Sequence, residues 1–201
     1  MRSIILSCML LATAPIAAAT AIAAAAESPV PAGRYVMDRD HKKITWGVDH
    51  LGFSTFTGRF TRFDGTLTLD PAKPANSSVN VTIDMSSLAS DNDKLDGELK
   101  GASWFDAAQF PTATFASTKV TMVDAKHAKV TGNLTLHGVT KPVTLDVTLH
   151  GAGMHPMMKV STVGFDATGT IKRSDFGVAT FLPMIGDDIA LTISAEFQLA
   201  K

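Results

Sequence analysis

From Ile189 to the C-terminus the chain alternates with a period of two. Ile189, Leu191, Ile193, Ala195, Phe197 and Leu199 interleave with Ala190, Thr192, Ser194, Glu196 and Gln198. Such alternation marks a strand with one buried face, because successive side chains point to opposite sides of the backbone. The pattern recurs at Val143, Leu145, Val147 and Leu149, and at Val130, Gly132, Leu134 and Leu136. Val79, Val81 and Ile83 repeat it, as do Ile44, Trp46 and Val48. Further strands are expected at 34–38, 58–63, 66–70, 112–123 and 159–172. Turn chemistry separates them at Asp64-Gly65, Pro71 to Pro74, Asp124 to Lys126 and Gly138 to Pro142. The reading is all-β and antiparallel. Eight or nine strands in one domain close into a barrel or fold into a sandwich, since a flat sheet leaves long unpaired edges.

Two segments break the rhythm. Ser90 to Lys100 is polar, with Ser90 and Asp93 spaced as a capping box and Leu95 and Leu99 four apart, which predicts a short helix. Residues 173–188 form an apolar connection carrying Phe176, Phe181, Leu182, Pro183, Met184 and Ile185. The Asp64-Gly65 turn poses a register question. A strict two-residue hairpin there puts Arg62 on the face of Leu67 and Leu69. Either a bulge brings Phe63 inward instead, or an arginine points at the interior.

The N-terminus reads as an export signal. Arg2 precedes an apolar run from Ile4 to Ile16 and an alanine-rich stretch ending Ala24-Ala25-Ala26, the small-x-small pattern of a cleavage site. Residues 1–26 are therefore expected to be a cleaved secretory signal peptide, and 27–201 one mature domain in the periplasm. The single cysteine, Cys8, leaves with the leader. That excludes disulfides, cysteine-ligated metals and a thiol nucleophile from the mature chain. Eighteen basic against nineteen acidic side chains leave no basic excess for nucleic acid.

Chemistry-bearing motifs are nearly absent. There is no Gly-x-Ser-x-Gly elbow, no His-Glu-x-x-His helix and no phosphate-cradling glycine loop, so no catalytic residue is assigned. Asp91, Asp93, Asp96 and Glu98 do not have the spacing of a calcium loop. His137 and His150 fall on polar strand faces and His127 in a turn. Met154-His155-Pro156-Met157-Met158 gathers thioethers and an imidazole, ligands suited to copper(I), although methionine is equally a flexible filler of barrel ends.

The blocks of the mature chain resemble a known family. His50-Leu51-Gly52, Gly58-x-Phe60 and Phe63-Asp64-Gly65-Thr66 open the match. Phe110-Pro111-Thr112-Ala113-Thr114-Phe115 and the run Gly132 to Val143 continue it. Gly164-Phe165-x-Ala167 and Ile171-Lys172-Arg173-Ser174-Asp175-Phe176-Gly177 complete it. Together they resemble the YceI-like proteins. The resemblance implies an exported bacterial protein with a closed, lipocalin-like antiparallel barrel of about eight strands and one short helix. It also implies that the barrel holds a polyisoprenoid or related amphiphilic chain. The chain departs from the family's Arg-x-x-x-His-like helix pattern, carrying Leu95, Glu98, Ser103 and Trp104 there.

The expected function is therefore a periplasmic protein that sequesters or carries a polyisoprenoid or quinone-like lipid, as cargo rather than cofactor. The alternative is a copper or metal-stress binder using the Met154–Met158 segment. Partners are a long hydrophobic small molecule and at most a transient membrane contact, with a homodimer left open. Alternation points Trp46, Val48, Val81, Ile83, Leu134 and Leu136 inward, with Leu145, Val147, Phe165, Leu191 and Ile193. Phe53, Phe56, Phe105, Phe176 and Phe181 sit at strand ends or loops where a tail would enter. Gly132, Ala167 and Ala195 are small enough to leave a channel. Periodicity alone does not separate a filled barrel from a hollow one, because both need apolar inner faces.

Overall fold

The computed structural model describes residues 29–201, so the expected leader and Cys8 lie outside the described residues. Among the described residues ten strands share one sheet, which closes on itself through a pairing between its last strand and its first. In chain order they are β1 Gly33–His50, β2 Ser54–Phe60, β3 Phe63–Leu69, β4 Ser78–Asp84 and β5 Leu88–Ala89. The helix α1, Asp93–Lys100, follows. Then come β6 Thr112–Met122, β7 His127–Leu136, β8 Val139–Met154, β9 Ser161–Lys172 and β10 Ile185–Leu199.

Every pairing is antiparallel. β2 lies against residues 44–50 of β1, and β3 against residues 33–36 of the same strand. β2 and β3 are thus one stave broken at Thr61 and Arg62. β5 continues β4 in the same way, past a 3-10 turn at Met85–Ser87, and pairs with β2. This leaves eight staves, closed where β1 meets β10, with Tyr35 opposite Leu199 and Trp46 opposite Leu191. The architecture is a closed eight-stranded barrel with one helix, as the resemblance implied.

Several local expectations are corrected. Asp64-Gly65 is no turn; it lies inside β3, opposite Thr82 and Val81 of β4. The chain bends two residues earlier. Phe63 is buried, while Arg62 points outward to Asp84 at 2.9 Å. The expected strands at 34–38 and 44–48 are one long β1. The β7–β8 turn is only His137 and Gly138, both at positive φ, so Thr140 to Pro142 belong to β8. Such φ values are those of a type I′ hairpin. His137 consequently sits at a turn rather than on a strand face, and its Nδ1 lies 3.0 Å from the Phe176 carbonyl. The helix is capped by Asn92, whose side chain accepts from the Leu95 amide at 3.1 Å. Ser90 instead donates its amide and hydroxyl to Asp96.

The long β1 needs one irregularity to stay in register. Met37 faces Phe197 and Lys42 faces Ala195, so residues 38–41 bulge out of the ladder. Asp38 organises that bulge. Its carboxylate accepts from the Asp40 amide at 2.7 Å, the His41 amide at 3.0 Å and Gln198 Nε2, with His41 Nδ1 at 3.1 Å. Burial pushes the Asp38 carboxyl up, but the hydrogen bonds from Asp40 and His41 outweigh it and hold the group below its ordinary 3.8. A depressed folded value contributes stability above the unfolded value and loses it as pH falls through the folded one. Asp38→Ala is expected to cost about 1–3 kcal/mol at neutral pH by orphaning those donors. It should also remove part of the stability loss seen below about pH 4. Urea unfolding of both proteins at neutral pH and at pH 3 checks this.

Candidate functional site

The inner faces of the staves do not meet on the barrel axis. They enclose a cavity of about 770 Å³. Its wall is almost wholly apolar and is built from alternate residues of every stave: Ile44, Trp46 and Val48 on β1, Val79, Val81 and Ile83 on β4, and Ile189, Leu191 and Ile193 on β10 are examples. Magnitude decides what this space is. At the ~24 cal/mol per Å³ found for truncated cores, a dry void of that size forfeits about 18 kcal/mol. That exceeds the roughly 5–15 kcal/mol that holds a whole domain together. The hollow is therefore no packing defect, and its volume lies within the ~300–1,000 Å³ of ordinary ligand sites.

The large wall residues are kept off the axis by glycines. A Cβ on Gly58 would stand 2.2 Å from the Trp46 ring, its direct cross-strand partner. One on Gly132 would stand 2.4 Å from Phe115, and one on Gly169 2.7 Å from Leu145. Each big side chain lies flat over a glycine on the adjacent strand. Gly132 therefore leaves no channel of its own, since Phe115 covers it. Ala167 and Ala195 do line the cavity. Trp46 Nε1 is the one buried side-chain polar atom without a hydrogen-bond partner among the described residues.

One end of the barrel is built differently. Leu95 and Leu99 of α1, with Trp104, Phe105, Val178 and Phe181, line the cavity there, and Glu98 and His50 lie exposed at its rim. The loop between β9 and β10 is held by Arg173, which is 3% exposed. Its guanidinium donates to the carbonyls of Val178 and Thr180 at 2.9 Å and of Ile185 and Gly186 at 2.8 Å. It also lies 5.4 Å from the centre of the Trp104 ring. Burial lowers the Arg173 pKa, opposed by the charge of Asp187. Asp187 is itself held below the usual carboxylate range, chiefly by the Ser174 amide at 2.9 Å.

Of the wall residues expected from the sequence, all but Phe53 and Phe176 line the cavity. Phe53 is 89% exposed on the β1–β2 turn. Phe176 is buried in a cluster with Met85, Ala113 and Leu136. Residues not singled out beforehand include Phe63, Phe115, Val163 and Phe197. Phe197 and Val163 follow the same alternation and were findable by it. Phe63 was obscured by the supposed turn, and nothing in the sequence announces a buried arginine among carbonyls.

The methionine segment takes a different form from a compact loop. Met154 ends β8, and Met154, Met157 and Met158 are all exposed. His155 Nδ1 accepts from the Met157 and Met158 amides at 3.3 and 3.1 Å, and the Met158 sulfur accepts from Gln198 Nε2 at 3.4 Å. Among the described residues no group of three or more His, Cys, Asp or Glu side chains is gathered as a metal site.

Comparison with known proteins agrees with this architecture. The YceI-like domain matches residues 35–197. Protein YceI of Salmonella arizonae is 40% identical over 167 residues, covering 82% of this chain and 86% of that protein. The crystal structure of BcnA from Burkholderia cenocepacia superposes with a TM-score of 0.72 at 29% identity, covering 80% of this chain and 98% of that one. A domain from Saccharophagus degradans, described as polyisoprenoid binding and implicated in plant cell wall breakdown, shares the fold at 16% identity. It gives a TM-score of 0.61 over 85% of this chain and 100% of that one. With the family match spanning most of the chain and a relative at this identity over most of its length, the protein belongs to the YceI-like family.

Proposed function

We propose that this protein binds one long hydrophobic chain, a polyisoprenoid or quinone-like lipid, inside the barrel, and sequesters or carries it in the periplasm after export. The observation that carries the reading is the 770 Å³ apolar cavity running between the two barrel ends. The Saccharophagus degradans domain of the same fold, described as polyisoprenoid binding, supports it. Each methylene transferred from water into such a wall contributes about 0.8 kcal/mol, so an extended tail is held firmly without a single polar contact. The almost wholly apolar wall supports a binding role. The test is native mass spectrometry of protein purified from its own host. A bound chain that dissociates as one lipid mass is expected. A barrel that neither carries nor takes up any hydrophobic chain overturns the proposal.

Small wall residues provide a second test. Ala167 and Ala195 are 8% and 5% exposed and line the cavity. Ala195→Phe and Ala167→Leu extend side chains into the space a ligand occupies. Lipid occupancy is expected to fall several-fold while the thermal midpoint moves little. Overpacking a filled core instead costs about 1–3 kcal/mol. Lipid content and thermal midpoint, measured side by side, separate the two cases.

A further inference from the structure

The β1–β2 turn breaks a local rule. Leu51 and Gly52 both have positive φ, 59° and 73°, and the Phe53 amide bonds the His50 carbonyl at 3.0 Å. A position at positive φ favours Gly, Asn or Asp, because other side chains crowd the backbone there. This chain places a leucine at it and a phenylalanine two residues on. Neither is rewarded by burial: Leu51 is 47% and Phe53 is 89% exposed. The Leu51 amide donates to the Met184 carbonyl at 3.0 Å, which ties the turn to the β9–β10 loop. That loop presents Phe181, again at positive φ, and Met184, which are 56% and 55% exposed. Four large apolar side chains from two joined loops therefore crown one end of the barrel. Phe181 belongs both to this crown and to the cavity wall.

We propose that this crown is a membrane-docking tip, which inserts into the surface of a lipid bilayer and sets the mouth of the cavity against it. The inference rests on the lipid-binding reading, since a cargo of that kind dissolves only in a bilayer. Three observations favour a bilayer over a protein. The surface is built from the tips of two adjoining loops, with Phe53 89% exposed. Its side chains expose on the order of 400 Å², about half the ~800 Å² each partner brings to a stable protein interface. The charge next to it in sequence, Asp49, is exposed but engaged within the turn, its carboxylate accepting from the Gly52 amide at 2.9 Å, and the four large side chains that the tip presents are all apolar. Interfacial binding of this kind scales with the apolar area inserted.

The test uses the mature protein, vesicles of phosphatidylethanolamine and phosphatidylglycerol, and a pyrene-labelled alkyl chain as probe. Leu51→Asn with Phe53→Ser suits the turn backbone and touches no cavity residue. The variant is expected to keep its thermal midpoint and to load probe from cyclodextrin as the unaltered protein does. Its co-sedimentation with vesicles should fall at least five-fold and its extraction of probe from vesicles at least ten-fold. The unaltered protein's sedimentation should change little between low and high salt. Equal sedimentation and extraction by both proteins overturns the docking tip, as does a variant that instead loses self-association at unchanged vesicle binding. If the unaltered protein takes no probe even from cyclodextrin, it is the cavity reading that fails.

Discussion

The ladder between β1 and β10 is the contact on which the rest of the molecule depends. Without it the strands form an open sheet with two long unpaired edges. With it every inner face looks at another inner face. Because the side-chain period is two, a slip of one residue along this ladder would turn Ile44, Trp46 and Val48 outward together. The chain holds the register while letting β1 advance five residues, Met37 to Lys42, against two on β10. Asp38 makes that mismatch tolerable by giving the bulged amides and Gln198 a common acceptor. A single buried carboxylate thus allows one strand to serve two neighbours, β3 by its first half and β2 by its second.

Closure alone does not make a hollow. An eight-stranded barrel is narrow enough for its own side chains to fill. Here the largest of them are laid along the wall. Trp46 over Gly58, Phe115 over Gly132 and Leu145 over Gly169 are the same device on three parts of the barrel. A glycine on the adjacent strand removes the Cβ that would push the ring or branch toward the axis. The orphaned Trp46 Nε1 accompanies this arrangement: an indole pressed flat against a strand loses the freedom to turn its N–H toward an acceptor.

The inner faces were legible in the sequence because alternation is a local signal with a direct structural cause. Val143 to Leu149 and Ile189 to Phe197 required no knowledge of their neighbours. What was not legible depended on contacts between distant segments. Asp64-Gly65 has the composition of a turn, yet Gly65 is used for close approach; a Cβ there would meet the Asn80 carbonyl at 2.8 Å and Met37 Cε at 2.9 Å. Phe176 looked like a rim aromatic because it sits in a loop, but the loop folds under and buries it. Phe53 looked the same and is thrown outward. Composition gives loop aromatics no direction; the ladder that positions the loop does.

Arg173 shows how the mouth can keep its shape above a hollow barrel. A surface loop is ordinarily held down by apolar residues packed on a core, and over a cavity that support is reduced. The β9–β10 loop buries Phe176 and Val178, and hydrogen bonds add to that anchorage, with one guanidinium gathering the carbonyls of Val178, Thr180, Ile185 and Gly186. Arginine suits the task because its planar fork reaches several acceptors at once, whereas an ammonium is a single point charge. Burying the charge is costly, as its lowered pKa records, and the field of Asp187 offsets part of that cost. The loop so fixed carries Phe181 to the rim. A polar clamp inside the protein is therefore what allows an apolar side chain to stand at the mouth without collapsing into the cavity.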